Sequence, residues 1–145
     1  MGLVKDLTGK KIFLDTAPLI YYIEDHPYFA PLLNELILLK GKEKCQFISS
    51  VITLAEVLVL PIREKKTDLA QKYEAILTGS KSIEMVDINV KIAKTTAQLR
   101  AKYILKTPDA IQLASAIHYS ADYFLTNDKH LKTVGEIKII TLEDL

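Results

Sequence analysis

The sequence contains a single cysteine, five glycines and five prolines in 145 residues, and its charges nearly cancel, with 19 Lys and Arg against 18 Asp and Glu. One cysteine, Cys45, excludes a disulfide within the chain and favours a reducing compartment. No apolar run approaches the roughly 18 residues that a membrane span requires. The polar stretch 1–11 lacks the apolar centre of a signal peptide. We therefore expect a cytoplasmic protein without membrane attachment.

The scarcity of glycine excludes two large classes of nucleotide-binding protein. The chain contains neither the G-x-x-x-x-G-K-[ST] of a P-loop nor the G-x-G-x-x-G of a dinucleotide-binding fold. Its net charge of +1 neither requires nor excludes a nucleic-acid partner. The function must therefore be inferred from particular residues rather than from bulk composition.

The chain shows no internal repeat, low-complexity tract or linker, and its length is that of one globular domain. We therefore expect a single domain over residues 1–145. Five apolar runs have strand character: 11–15, 46–49, 82–87, 123–126 and 137–141. Segments with helical spacing lie between them: 16–24, 27–40, 50–64, 67–77, 89–105 and 108–120. This alternation predicts an α/β fold, a three-layer α/β/α sandwich with a mainly parallel central sheet of about five strands.

Polar residues and one proline mark the expected ends of these helices. Ser49 or Ser50 is the predicted N-cap of segment 50–64, and Asn89 and Thr107 are the predicted caps of the last two helices. Pro61 is expected to bend or end its helix, because proline has no N–H to donate.

Four carboxylates lie near the predicted carboxyl ends of the strands, where open sheets bind their ligands. Asp15 closes the first strand, Asp128 follows the fourth, Asp109 opens the helix that leads into the fourth, and Glu56 lies in the helix after the second. Each Asp also has a structural explanation, as a helix cap or as a charge that favours a helix N-terminus. Glu56 interrupts an almost wholly apolar helix, so we expect it to be buried with a partner or a metal.

The segments around these acids resemble the four motifs of the PIN-domain family, in the family's order. They are IFLDTAPLIYYIE, ISSVITLAEVL, TPDAIQLASAI and ADYFLTNDKHL. The resemblance extends from about Ile12 to the C-terminus, and the small size is similar to that of the VapC-like toxin ribonucleases of type II VapBC toxin–antitoxin systems. It implies a PIN-like fold with an acidic quartet formed by Asp15, Glu56, Asp109 and Asp128.

The resemblance implies a metal-dependent endoribonuclease that hydrolyses RNA phosphodiester bonds with this catalytic quartet. Asp15, Asp109 and Asp128 would bind the metal directly, and Glu56 directly or through water. Four neighbouring carboxylates raise one another's pKa and favour a hard divalent cation, so the expected cofactor is Mg²⁺ or Mn²⁺. Zinc is disfavoured, because the one cysteine and three separated histidines form no zinc pattern.

Thr16, Thr126 and Asn127 are further candidates near the quartet. They would hold a metal-bound water or a phosphate oxygen, or would serve as capping and turn residues. Tyr21 and Tyr22 follow the first motif and are expected either to stack on an RNA base or to pack within or between subunits.

Basic residues flank the third and fourth motifs and are candidates for gripping RNA, because an acidic pocket repels phosphate. The predicted RNA-binding residues are Arg100, Lys102 and Lys129, with Lys106 and Lys132 beside them.

The resemblance also implies a VapB-like antitoxin that covers the site. The apolar segments 27–40 and 50–64 carry more hydrophobic surface than a small core covers, so we expect a homodimer or an antitoxin groove. The alternatives are a stand-alone PIN-domain nuclease and a catalytically silent PIN-like scaffold. An aspartyl phosphotransferase is disfavoured, because Ala17 occupies the position of its second Asp.

Overall fold

The structure is a computed structural model that describes residues 2–145, with the side chains of residues 5–145. Met1, the first residue of the expected domain, lies outside the described residues. The helices and strands, in chain order, are α1 (Gly2–Leu7), β1 (Lys11–Leu14), α2 (Thr16–Ile23), α3 (Phe29–Ile37), β2 (Gln46–Ser50), α4 (Val51–Arg63), α5 (Thr67–Gly79), β3 (Ile83–Val86), α6 (Val90–Lys102), α7 (Thr107–His118), β4 (Tyr123–Thr126) and β5 (Lys138–Thr141). Short 3-10 turns cover Gly41–Glu43, Lys129–Thr133 and Leu142–Asp144.

The five strands form one sheet in the order β3-β2-β1-β4-β5, and every neighbouring pair is parallel. Strand β1 is central and pairs with both β2 and β4. After β1 the chain forms β2 and then β3 on one side of β1, and it then returns to form β4 and β5 on the other side. The carboxyl ends of β1 and β4 are therefore the topological switch point, where open α/β sheets bind ligands.

Alternating side chains of β1 face opposite layers of helices, as the period of two in a strand requires. Ile12 and Leu14 pack with α2, α3 and α5. Phe13 faces the other way, into the cluster formed with α6 and α7, and its ring stacks on Phe124 of β4 with 5.3 Å between the centroids. The expected three-layer α/β/α fold is confirmed.

The strand predictions are confirmed to within about two residues, and several helix ends differ from expectation. Helix α1 was not expected, because segment 1–11 is mostly polar, yet Leu7 is fully buried against the core. Pro61 does not end α4, which continues to Arg63. The capping role predicted for Thr107 is wrong: Thr107 is the first residue of α7, and the cap position before it makes no side-chain hydrogen bond.

The caps predicted from short polar side chains are present elsewhere. The Ser50 hydroxyl accepts a hydrogen bond from the Ile52 amide at the start of α4, and Asn89 Oδ1 accepts one from the Ile92 amide at the start of α6. Each bond satisfies an amide that the first helical turn leaves without a backbone partner.

Within residues 2–145 no helix combines the length and the apolar character needed to cross a membrane.

Candidate active site

Asp15 lies directly after β1, at the switch point of the sheet. Its backbone amide donates a hydrogen bond of 2.9 Å to the Leu125 carbonyl, which ties the end of β1 to β4. One carboxylate oxygen, Oδ1, accepts from the Thr16 amide at 2.9 Å, and the other, Oδ2, accepts from the Thr126 hydroxyl at 2.8 Å. Asp15 is thus the N-cap of α2, as the structural explanation expects, and both of its oxygens are held in place.

The surroundings of Asp15 raise the pKa of its carboxyl to about 6. Burial is the largest cause, and the nearby charges of Asp109 and Glu56 raise the pKa further. The hydrogen bonds from Thr126 and Thr16 act in the opposite direction. Part of the residue is still reached by solvent, although most of the carboxyl is enclosed by protein atoms.

Asp109 lies in the first turn of α7 and belongs to the same group of charges. Burial is the main cause that raises the pKa of its carboxyl, followed by the charges of Asp128 and Glu56. The charges of Lys106 and His130 lower it. Asp15 therefore lies within electrostatic range of Asp109 and Glu56, and Asp109 lies within range of Asp128 and Glu56.

Thr126, the last residue of β4, connects Asp15 to Asp128. Its fully buried hydroxyl donates to Asp15 and accepts from the Asp128 amide at 3.1 Å. Asp128 Oδ1 in turn accepts from the His130 amide at 2.9 Å and caps the 3-10 turn Lys129–Thr133. Asn127, between them, is exposed, and its side-chain amide donates to the Tyr21 hydroxyl at 3.2 Å.

Glu56 is exposed, so the expectation of a buried carboxylate is wrong. Its partner is the Thr16 hydroxyl, which donates to Glu56 Oε1 at 2.9 Å. The apolar sequence of α4 does not bury the whole helix, because one side of α4 faces solvent and also exposes Leu60 and Ile62 by 55% and 64%. Glu56 lies on the accessible side of α4, where Thr16 holds one of its carboxylate oxygens.

A buried network of polar side chains adjoins Thr16, the partner of Glu56. The sequence did not lead us to predict it. Ser50 donates to the side-chain carbonyl of Gln112, and the Gln112 amide donates to Thr53. The hydroxyl oxygens of Thr53 and Thr16 lie 3.5 Å apart, and Ser49 Oγ lies 2.9 Å from that of Thr53. Ser49, Ser50, Thr53 and Gln112 are each at most 1% exposed.

The sequence contains a weak signal for this network. Gln112 follows Asp109 by three residues, a spacing that places both side chains on one side of a helix. Ser50 and Thr53 stand at the entrance of α4 in a similar way. Within the described side chains, no buried polar atom lacks a hydrogen-bond partner. The network therefore fixes α7 against α4 and β2 close to the acids.

The basic residues predicted to bind RNA already have partners in the protein. Lys102 pairs with Glu136 at 3.4 Å and Lys129 with Glu143 at 2.7 Å. Arg100 Nε donates to the Leu105 carbonyl at 3.3 Å. Exposed pairs of this kind are weak and open readily, so RNA binding by these residues stays a prediction.

The acids fit a hard divalent cation by donor type and charge. None of the four forms an ion pair with Lys or Arg in the part of the chain that the structure describes. Their oxygens are the donors that Mg²⁺ and Mn²⁺ prefer. Among the described residues, however, no three Asp, Glu, His or Cys side chains lie close enough to form a ready-made ligand set. The group is an open one, in which Glu56 and Asp128 have exposed side chains.

Comparison with known proteins agrees with the fold and with the family resemblance. The PIN domain family model matches residues 12–137. Ribonuclease VapC2 of Methanocaldococcus jannaschii is 25% identical over 144 residues, which cover 91% of this chain and 94% of that protein. VapBC2 from Rickettsia felis, solved bound to a DNA fragment from its promoter, superposes with a TM-score of 0.73 at 22% identity, covering 90% of this chain and 98% of that chain. A toxin–antitoxin complex from Klebsiella pneumoniae gives 0.69 at 26% identity, covering 90% and 97%. The resemblance is thereby confirmed, and the chain belongs to the PIN domain family.

Proposed function

We propose that this protein is a metal-dependent endoribonuclease and the toxin of a VapBC-type toxin–antitoxin pair. The observation that carries the proposal is the position of Asp15, which is held by two hydrogen bonds at the switch point of a PIN-domain sheet, within range of the charges of Asp109 and Glu56. The similarity to Ribonuclease VapC2 supports the reaction. The likeness to solved toxin–antitoxin complexes supports the partner.

Asp15, Asp109 and Asp128 would hold the cation, and Glu56 would join them directly or through water. When bound, Mg²⁺ or Mn²⁺ supplies Lewis acidity towards the attacking water and the phosphate oxygens. The protein supplies orientation. Thr126 and the Thr16 amide fix the two oxygens of Asp15, and the Thr16 hydroxyl directs Glu56.

The charge of the carboxylates supports the proposed need for a cation before RNA approaches. The pKa values of Asp15 and Asp109 are raised, mainly because both carboxyls are partly desolvated and also because each faces the charges of neighbouring carboxylates. Such a site repels phosphate until positive charge enters it. A bound cation would supply the activation of water, so the proposed reaction assigns no histidine as a base.

The test is cleavage of total tRNA and of an rRNA fragment by the purified protein, with Mg²⁺ or Mn²⁺ or with EDTA. We expect discrete fragments in the presence of metal and none in EDTA. Cleavage that persists in EDTA would contradict the metal dependence. Intact RNA in every reaction, with a protein that binds Mn²⁺, would favour the scaffold alternative.

The proposed partner is a VapB-like antitoxin, as the likeness to solved toxin–antitoxin complexes supports. We expect a neighbouring gene to encode a short DNA-binding protein that co-purifies with this chain and blocks cleavage. A nuclease that stays active in the presence of the product of every neighbouring gene would instead be a stand-alone enzyme.

Cys45 is a free, buried thiol, which supports a cytoplasmic location.

A further inference from the structure

Four aromatic rings lie together beside the active site, at the turn between α2 and α3. Tyr21 stacks on Phe29 with 5.6 Å between the ring centroids and 17° between the planes. His26 packs against both rings, at 4.6 Å from Tyr21 and 5.0 Å from Phe29. Tyr28 meets Phe29 at 5.0 Å in an edge-on arrangement. None of these rings has a role in the proposed chemistry.

The turn that carries the rings is held by local hydrogen bonds. The His26 amide donates to the Tyr21 carbonyl at 2.8 Å. The ring nitrogen Nδ1 of His26 accepts from the amides of Tyr28 and Phe29 at 3.2 and 3.1 Å. Asp25 takes a left-handed conformation, with φ of 53°, which closes the turn. The rings are therefore positioned before any ligand arrives.

A direct contact joins this cluster to the active-site loop. Asn127 donates to the Tyr21 hydroxyl at 3.2 Å, and Asn127 lies between Thr126, which holds Asp15, and Asp128. A chain bound across the acids would therefore meet the aromatic rings next.

Tyr28 forms the open end of the cluster. It is 67% exposed, whereas the neighbouring Phe29 is partly buried against the core. Within the described residues its hydroxyl forms no hydrogen bond, and its edge-on contact with Phe29 leaves most of the ring open. A supported aromatic ring with a free surface is the element on which proteins stack single-stranded bases.

We propose that Tyr28, supported by Phe29, His26 and Tyr21, is a nucleobase platform on which an unpaired base of the RNA stacks beside the scissile phosphate. This inference rests on the proposed ribonuclease function. Stacking does not depend on charge. It therefore binds RNA even though the acids repel phosphate and Lys102 and Lys129 are paired with carboxylates. The ligand class is a purine or pyrimidine base in single-stranded RNA.

The test uses the full chain with Asp15→Asn, so that bound RNA is not cleaved. The probe is a mixed-sequence single-stranded RNA in which adenine is replaced by the fluorescent base 2-aminopurine, which is quenched when it stacks. Into this background are placed Tyr28→Ala, Tyr28→Leu and Tyr28→Phe. Leu38→Ala is the matched control, because Leu38 is 62% exposed and lies after α3, outside the aromatic cluster.

We expect Tyr28→Ala and Tyr28→Leu to weaken binding roughly 5- to 150-fold and to remove the quenching. Tyr28→Phe and Leu38→Ala should bind and quench as the parent does. Normal binding of the RNA probe by the Tyr28→Leu variant would overturn the proposed platform. It would indicate a merely apolar contact, as with a protein partner. Unchanged binding by Tyr28→Ala would also overturn it.

A parallel assay separates this inference from the function on which it rests. The chain with Asp15 intact is given total tRNA and Mn²⁺. If it cleaves the RNA while Tyr28→Ala leaves binding and quenching unchanged, the platform is wrong and the ribonuclease stands. If it neither cleaves RNA nor binds the probe, both are wrong.

Discussion

At the scale of single residues, the position of Asp15 makes its ionised carboxylate destabilising to the folded protein. An ordinary Asp carboxyl has a pKa of 3.8, and the surroundings of Asp15 raise it to about 6. The folded protein therefore binds this proton more tightly than the unfolded chain does. By linkage, ionisation of Asp15 destabilises the folded protein. This destabilisation is complete above about pH 6, and it disappears as the pH falls below 3.8, the pKa of the carboxyl in the unfolded chain.

Asp15→Asn should accordingly stabilise the protein near pH 7, by up to about 3 kcal/mol, because a shift of one pKa unit corresponds to about 1.4 kcal/mol. The gain should shrink towards zero near pH 4. Urea unfolding at both pH values measures it. Glu84→Gln, at an exposed position of β3, is the control and should change neither value. A loss of stability near pH 7 would show that Asp15 is held mainly by favourable contacts instead.

At the scale of elements, the relative placement of α7, α4 and β2 depends on the buried network of Ser50, Thr53 and Gln112. All three side chains are fully or almost fully buried, and each has a partner in another element. Removing one partner leaves the others unsatisfied in an environment without water, which costs about 1–3 kcal/mol. The network thus links the position of Asp109 on α7 to that of Glu56 on α4.

Gln112→Leu should therefore lower the free energy of unfolding by about 1–3 kcal/mol and reduce cleavage even where the variant is fully folded. The matched control is Ser115→Ala. Ser115 is also fully buried on α7, but its hydroxyl donates only to the Ile111 carbonyl of its own helix. Urea unfolding and the cleavage rate measured on folded protein separate the two effects. Equal cleavage by both variants would show that the network does not position the acids.

The elements themselves could be predicted from sequence to a large extent, for identifiable reasons. The strands are short apolar runs between polar turns, and Ser50 and Asn89 mark helix starts by a local side-chain bond. Helix α1 could not be predicted, because its main anchor in the described side chains is the burial of Leu7, a tertiary contact. The cap of α7 was misplaced by one residue, since Thr107 already has helical geometry.

At the scale of the whole molecule, the location of the site follows from the strand order. The sequence places acids after the first and fourth strands, and the order β3-β2-β1-β4-β5 makes those strands neighbours. The exposure of Glu56 could not be predicted from the sequence. The almost wholly apolar sequence of α4 fits a fully buried helix as well as a helix that leaves one apolar side open at the surface. The aromatic cluster depends on a turn that joins Tyr21 to Phe29 in space.

The exposed apolar side of α4 leads to a prediction about assembly. Val59, Leu60 and Ile62 are 49%, 55% and 64% exposed and lie on one short stretch of helix. We expect this surface to be covered in a homodimer, because contiguous apolar patches mark interaction sites. Leu60→Lys should shift the protein to monomer in sedimentation equilibrium, whereas Leu38→Lys, at an equally exposed residue elsewhere, should not. A dimer unaffected by Leu60→Lys would place the interface elsewhere.

We propose that four acids from separate elements act as one cation-dependent site. The most direct measurement is the single-turnover rate of RNA cleavage as a function of Mn²⁺ concentration for Asp15→Asn, Glu56→Gln, Asp109→Asn and Asp128→Asn, with Glu84→Gln as control. We predict that Asp15→Asn abolishes cleavage, that the other three lower the rate and require more Mn²⁺, and that the control matches the unmodified protein. Cleavage by Asp15→Asn at the unmodified rate, with the same dependence on Mn²⁺, would contradict the account.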